Sequence, residues 1–232
     1  MCEWPVLLAL DNSAIFAKPG TAAPQIISTC KHFFGYDIEF HRMRNDVNIS
    51  ARMLVEYYLP AFKSCVQEAK VKSIMCSYNA VNGRPSCANG KMQNDLLREK
   101  WGWDGFITSD CGAIGDDDMR KLVATDGPHM VAASLKGGCD MECPSGRSNY
   151  LDFTPQALSQ KLLNISDVDT ALRRKFVHFV ALGELDGPQD VPYQLLGAES
   201  VDTTEHRLLA LSVAEQAMTL FKNDPPAGST GK

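Results

Sequence analysis

Gly105-Phe106-Ile107-Thr108-Ser109-Asp110-Cys111 is the stretch on which the fold turns. An apolar run opened by glycine and closed on an acid reads as a short buried strand with a polar group at its C-terminal end. Upstream, Val71 to Tyr78 reads the same way and runs into the loop Asn79-Ala80-Val81-Asn82-Gly83-Arg84-Pro85. Earlier still, Ile26 to Phe34 reads as a buried strand carrying Lys31 and His32, and downstream a short strand is expected around Cys139 to Glu142. Helical patterns lie between them. Ser50 is placed to cap a helix running to about Ala69, with Leu54, Tyr58, Phe62, Cys65 and Val66 at helical spacing and Pro60 set to kink it or split it in two. Met92 to Trp101 and Pro128 to Lys136 read as helices, the second stopped by Gly137-Gly138. Others are expected near Pro155–Leu163, Val168–Leu182 and Glu205–Lys222. Strands alternating with helices predict an α/β chain with a parallel sheet.

In parallel α/β folds the chemistry gathers at the C-terminal ends of the strands. Here those ends carry Lys31-His32, Tyr78-Asn79, Ser109-Asp110 and Asp140-Met141-Glu142. Each has an ordinary structural role to set beside a functional one. An acid after a strand commonly caps a turn or helix, a Lys-His pair is commonly a surface feature, and a strand-end tyrosine is commonly core with a wet hydroxyl. Asp140 and Glu142, two apart on a strand, face the same way and read as structural support.

The rest of the composition narrows the function classes. Of 232 residues, 44% are hydrophobic and 22% charged, an ordinary globular balance. A net charge of −5 without any run of Lys or Arg argues against nucleic-acid and membrane-surface partners and suits a neutral ligand such as a sugar. No stretch reaches the roughly 18 apolar residues that cross a bilayer. Met1 to Leu10 lacks the basic start of a signal peptide. Eight cysteines without a CxxC pair, and five scattered histidines, argue against a zinc site. The cysteine content and the Asn-x-Ser triplets at Asn48 and Asn164 suit an extracellular or secretory-pathway protein.

Several blocks, in order along the chain, resemble family 3 glycoside hydrolases of the β-xylosidase/β-glucosidase type. They are Cys30-Lys31-His32-Phe33, then Glu56-Tyr57-Tyr58-Leu59-Pro60-Ala61-Phe62, then Ser73-Ile74-Met75-Cys76-Ser77-Tyr78-Asn79-Ala80-Val81-Asn82-Gly83. Trp101-Gly102-Trp103 and Ile107-Thr108-Ser109-Asp110-Cys111 follow. Gly138-Cys139-Asp140-Met141-Glu142-Cys143 resembles the last barrel strand, and Ala214 to Asp224 the approach to a second domain. The resemblance implies that Asp110 is the nucleophile of a retaining glycosidase, that Lys31 and His32 bind the sugar, and that Tyr78 sits by the nucleophile. Lys31 would help keep Asp110 ionised and the Tyr78 phenol would hold the carboxylate's rotamer. It further implies a carbohydrate substrate, no cofactor or metal, and no nucleic-acid or membrane partner. Cys30, Cys65, Cys76, Cys87, Cys111 and Cys143 stand where such enzymes carry cysteines, and some of them are expected to pair.

The fold expected from this resemblance is α/β: the second half of a (β/α)8 barrel, followed by helices leading toward an α/β sandwich domain. Residues 1–25 are left unassigned, 26–185 read as the barrel portion, 186–224 as linker and helix, and 225–232 as a disordered tail. The general acid/base of such enzymes, a glutamate of the following domain, is not expected in this chain, which reads as part of a longer enzyme. His41 is a minor candidate for a substitute acid, in a loop with Asp37, Glu39 and Asp46. The competing class is a catalytically inactive sugar-binding or truncated remnant of the fold.

Overall fold

A computed structural model describes residues 26–187 and 190–223, so the expectations for 1–25 and 225–232 fall outside the described residues. The chain divides into two units, one ending at Leu185 and the other beginning at Asp186. The first unit is an α/β layer built on β1 (Thr29–Phe33), β3 (Ser73–Cys76) and β6 (Phe106–Ser109), in the order β1-β3-β6 and parallel throughout. Every residue of β6 is buried, and so are Ser73, Ile74 and Cys76 of β3. Strands covered on both faces are near-continuous hydrophobic runs, which is how these stretches read in the sequence. The fourth expected strand is reduced to one parallel bridge, Thr108 to Met141. Side chains also hold this segment: the Asp140 carboxylate accepts from Ile107 N at 2.8 Å and pairs with Arg98 at 2.6 Å and Arg174 at 3.2 Å. Those three contacts add to backbone bonds along β6, in which Asp140 N and Met141 N donate to Ile107 O at 2.8 and 3.0 Å and Ser109 N donates to Met141 O at 2.8 Å.

A second small sheet of β2 (Asp46–Val47), β4 (Ala80–Val81) and β5 (Arg84–Pro85) fastens the loop that leaves β3. Positive φ at Asn82 and Gly83 makes the tight turn between β4 and β5.

The first helical stretch starts where the Ser50 side chain accepts from Met53 N. It runs as α1 (Ala51–Met53), a wider π-type segment (Leu54–Tyr58) and α2 (Leu59–Gln67). Pro60 lacks an N–H and its ring crowds the preceding turn, so the winding loosens ahead of it rather than kinking sharply. Lys91–Lys100 is a second π-wound helix. Among the described residues, the further α-helices of this unit are α3 (Asp117–Leu122), α4 (Gly127–Gly137), α5 (Asn149–Ser159) and α6 (Ile165–Ala181). Gly138, at φ 100°, ends α4 at the expected glycine pair. α5 begins six residues ahead of Pro155, where the expected helix started, because Ser148 caps it and the Glu142 carboxylate accepts from Asn149 N and Tyr150 N. Glu142 is thus a helix-terminus acceptor, and with Asp140 it has the supporting role read from its spacing.

In the second unit Thr203 caps α7 (Thr204–Ala217), which stops short of the Lys222 end expected for it. No helix among the described residues is long and apolar enough to cross a membrane.

Candidate active site

Three strand ends converge on Asp110. β6 delivers it: Asp110 N donates to Cys76 O of β3 at 3.0 Å, and Asp110 O accepts from Ala113 N at 3.1 Å. The turn that follows needs Gly112 at φ 89°, where a Cβ would also meet the Ser145 Cβ at 2.9 Å. Downstream, a Cys111–Cys143 disulfide and the Gly112 N to Cys143 O bond at 2.8 Å staple this turn to the segment after Met141. The Asp110 carboxylate is therefore mounted on a fixed backbone. Its Oδ1 accepts from Cys111 N at 2.8 Å and its Oδ2 lies 3.3 Å from His32 Nε2, with 13% of the side chain exposed to approach from solvent.

His32, and not Lys31, is the basic group beside Asp110. Strand alternation would send the two residues to opposite faces, but the β1–β3 register shifts between Cys30 and Phe33, so simple alternation does not hold there. Lys31 is exposed, and among the described residues it makes no ion pair. Burial pushes the His32 imidazole below its ordinary 6.5; the Asp110 charge works against that shift and the Lys31 charge with it. A neutral imidazole can donate Nε2–H to the carboxylate without cancelling its charge.

Tyr78 reaches the same place from the end of β3. Its hydroxyl donates to Cys111 O at 2.8 Å, fixing the peptide beside the acid. Burial raises its pKa, and the adjacent Asp110 carboxylate raises it further. Lys31, His32, Tyr78 and Asp110 thus occupy one rim, with only His32 in an ion pair with the acid.

Two residues of this cluster are absent from the reading of the motifs. The Tyr36 ring packs 5.3 Å from His32 and 6.2 Å from Tyr78. The Arg42 guanidinium lies over the Tyr78 ring at 4.7 Å, pairs with Glu39 at 2.8 Å and reaches the Tyr36 hydroxyl at 3.4 Å. Tyr36, four residues after His32, was within reach of an aromatic-spacing reading, whereas Arg42 arrives through a loop that folds back and leaves no periodic signal. His41, the minor acid candidate, is exposed at φ 56° with its ring 3.8 Å from Phe40. Its suggested carboxylate neighbours are engaged elsewhere: Asp37 with Tyr58, Glu39 with Arg42, and Asp46 with Gly83 N.

The expected cysteines pair as Cys30–Cys65, Cys76–Cys87 and Cys111–Cys143, and Cys139 is a buried free thiol. The first ties β1 to α2, and the second closes the loop that carries Tyr78.

Comparison with known proteins gives this arrangement a family. The chain is 41% identical over 212 residues to a protein of Aspergillus terreus named "Probable exo-1,4-beta-xylosidase bxlB", covering 88% of this chain and 27% of that one. An exo-1,4-β-xylosidase of Emericella nidulans is 39% identical over 207 residues, covering 86% and 27%. The chain therefore spans about a quarter of the length of the curated relatives it matches. Among solved structures, a family 3 exo-β-xylosidase bound to a xylobiose aziridine probe superposes with a TM-score of 0.68 at 34% identity, covering 83% of this chain and 24% of that one. A Listeria innocua β-glucosidase with glucose superposes at 0.70 with 28% identity, covering 81% and 25%. The family match starts at residue 11, so part of the segment left unassigned ahead of residue 26 is related sequence after all. A model of the "Glycosyl hydrolase family 3 N terminal domain" matches residues 11–176, most of the chain, and on that ground the chain belongs to glycosyl hydrolase family 3.

Proposed function

We propose that this chain carries the nucleophile of a retaining β-glycosidase, with Asp110 attacking the anomeric carbon of a β-xyloside. The observation that carries the proposal is the Asp110 carboxylate at the end of β6, held by backbone on one oxygen and by His32 at 3.3 Å on the other. A retaining glycosidase needs an ionised, fixed carboxylate to form a glycosyl ester, and a second carboxyl about 5 Å away to protonate the leaving oxygen. The first requirement has candidates here; the second is assigned to no residue of this chain.

In this scheme Asp110 Oδ2 forms the ester bond as the glycosidic C–O bond breaks. His32 exchanges its contact with the carboxylate for one to a sugar hydroxyl. Lys31, exposed on the rim, donates to a hydroxyl of the same sugar. Tyr78 and the Cys111–Cys143 staple keep the Asp110 turn from moving during attack. Xylosides are placed ahead of glucosides because the named xylosidases share more identity with this chain than the β-glucosidase does.

The parallel order β1-β3-β6, with Met141 bridging beyond β6, supports an arc of a (β/α)8 barrel over 26–185. Residues 186–224 would then be a connecting segment. Three disulfides and the exposed Asn48 and Asn164 side chains support a secretory or extracellular location.

Dinitrophenyl β-xyloside tests the reading, because its leaving group needs no protonation. The chain is expected to release a burst of phenolate and to gain a pentosyl mass on Asp110, both lost in Asp110→Asn. A folded chain that binds xylose but shows neither burst nor adduct is a sugar-binding protein only. A burst restricted to the glucoside would move the substrate class.

A further inference from the structure

On the glycosidase reading above, we propose that Arg42 is a positioning residue of the Asp110 site, clamping Tyr36 and Tyr78 into one wall against which the sugar ring binds. Three contacts meet on its head group. The guanidinium lies over the Tyr78 ring at 4.7 Å, reaches the Tyr36 hydroxyl at 3.4 Å and pairs with Glu39 at 2.8 Å. The two tyrosine rings lie 6.2 Å apart, and each reaches the surroundings of the nucleophile on its own. Tyr36 packs 5.3 Å from the His32 ring, and the Tyr78 hydroxyl donates to Cys111 O at 2.8 Å. An exposed pair such as Glu39–Arg42 contributes little by itself. What it does here is hold a planar fork in the one place where it spans both rings, which the compact ammonium of a lysine does not do.

The loop that carries Arg42 is closed at both ends by contacts in which Arg42 takes no part. At its start Gly35 stands at φ 68°, where a Cβ would meet Ile49 Cδ1 at 2.8 Å and Val81 Cγ2 at 3.2 Å. At its end β2 pairs with β4, and Ala80 N donates to Asn45 O at 3.1 Å just beyond Tyr78. Between them the Tyr58 hydroxyl donates to Asp37 Oδ2 at 2.6 Å. The course of the loop is set without Arg42, and Arg42 adds the orientation of the two rings. Its removal should therefore leave the fold and alter the site.

A pyranose offers a C–H face that packs on aromatic rings and a hydroxyl edge that needs polar partners. The wall serves the first, and Lys31 and His32 serve the second. Wall contacts made alike in the bound substrate and in the transition state affect binding and leave the limiting rate alone. The guanidinium also acts on His32: burial lowers that imidazole's pKa, Asp110 and Glu39 raise it, and Lys31 and Arg42 lower it.

The test uses the full chain and the variants Arg42→Met, Arg42→Lys, Tyr36→Phe and the Arg42→Met/Tyr36→Phe pair. Arg44→Met, at an exposed arginine of the same turn, is the control. In the phenolate burst from dinitrophenyl β-xyloside, Arg42→Met is expected to raise the half-saturating concentration about fivefold with the limiting rate unchanged. Arg42→Lys should recover little of that loss. The double variant should be no weaker than Arg42→Met alone, because both changes remove one bridge. By NMR, Arg42→Met should shift the ring signals of Tyr36 and Tyr78 together and raise the His32 midpoint, since a nearby cation is lost. Arg44→Met should do none of these things. Half-saturation and ring signals untouched by Arg42→Met would overturn the proposal, as would a lower limiting rate at unchanged half-saturation or additive effects in the double variant. Unfolding of Arg42→Met beside a normal Arg42→Lys would make Arg42 a residue of the fold and overturn it equally. If the unmodified chain gives no burst, the glycosidase reading fails on its own. Xylose titrated against the tyrosine signals then decides the clamp: affinity about fivefold weaker in Arg42→Met upholds it, and equal affinity overturns it.

Discussion

Asp110 and His32 stand 3.3 Å apart in a half-buried site, and the charge state of the imidazole decides what kind of contact that is. Burial favours the neutral ring and lowers its pKa from 6.5, while the Asp110 charge favours the cation and offsets part of the shift. The sign of the Asp110 contribution is testable. An NMR titration of His32 should give a midpoint below 6.5, and Asp110→Asn should lower it further by removing the stabilising negative charge. A midpoint that rises in Asp110→Asn would show that the two groups do not interact as described. Below that midpoint the imidazolium would neutralise the carboxylate, so the phenolate burst should also weaken toward acid. At this scale the sequence was informative about identities and poor about partners. Lys31 and His32 are adjacent letters, and their spacing does not say which of them meets the acid; in the fold it is His32.

The elements that frame the site are held by local rules that read well from sequence, with one buried exception. Ser50, Asp126 and Ser148 all cap helices through side-chain oxygens, as their residue types predict. Asp116 also caps α3, accepting from Met119 N at 2.9 Å, but it does so when 94% buried counting from its 6% exposure, and its Oδ2 has no partner among the described residues. Burial pushes its carboxyl up to about 8, with the Asp118 charge adding to the shift against the Met119 N–H. The folded state then holds a proton that the unfolded chain gives up near 3.8, so this contribution to stability is full below that pH and is lost as pH rises through about 8. Denaturant melts of Asp116→Asn, which keeps the cap and cannot ionise, should lose a slope of up to about 1.4 kcal/mol per pH unit across that window. Parallel pH profiles for the two proteins would show that Asp116 is ionised in the fold. Such a proton, like the disulfide connectivity and the loosened winding before Pro60, depends on what packs around a residue and has no signature in spacing.

At the scale of the whole first unit, the parallel strands and the polar residues at their ends were legible because buried strands read as apolar runs and polar residues follow them directly. The extent of the related sequence was not: the family match begins at residue 11, in a stretch without a strand-end motif to announce it. Also hidden was how much apolar surface the unit shows. On α6, Ile165, Leu172, Phe176 and Val180 recur on one helical face and are 63%, 45%, 47% and 54% exposed, with Val177 beside them at 57%. A stripe of that kind on a soluble surface drives association. The isolated chain is therefore expected to bind a hydrophobic dye such as anilinonaphthalene sulfonate and to self-associate with rising concentration. Leu172→Glu combined with Phe176→Glu should reduce both by several-fold, whereas Arg173→Glu, an exposed polar position on the same helix, should change neither. Light scattering and dye fluorescence report the two effects separately. Dye binding that survives the double substitution would locate the sticky surface elsewhere, and a chain that stays monomeric without dye binding would mean that this stripe is covered in solution.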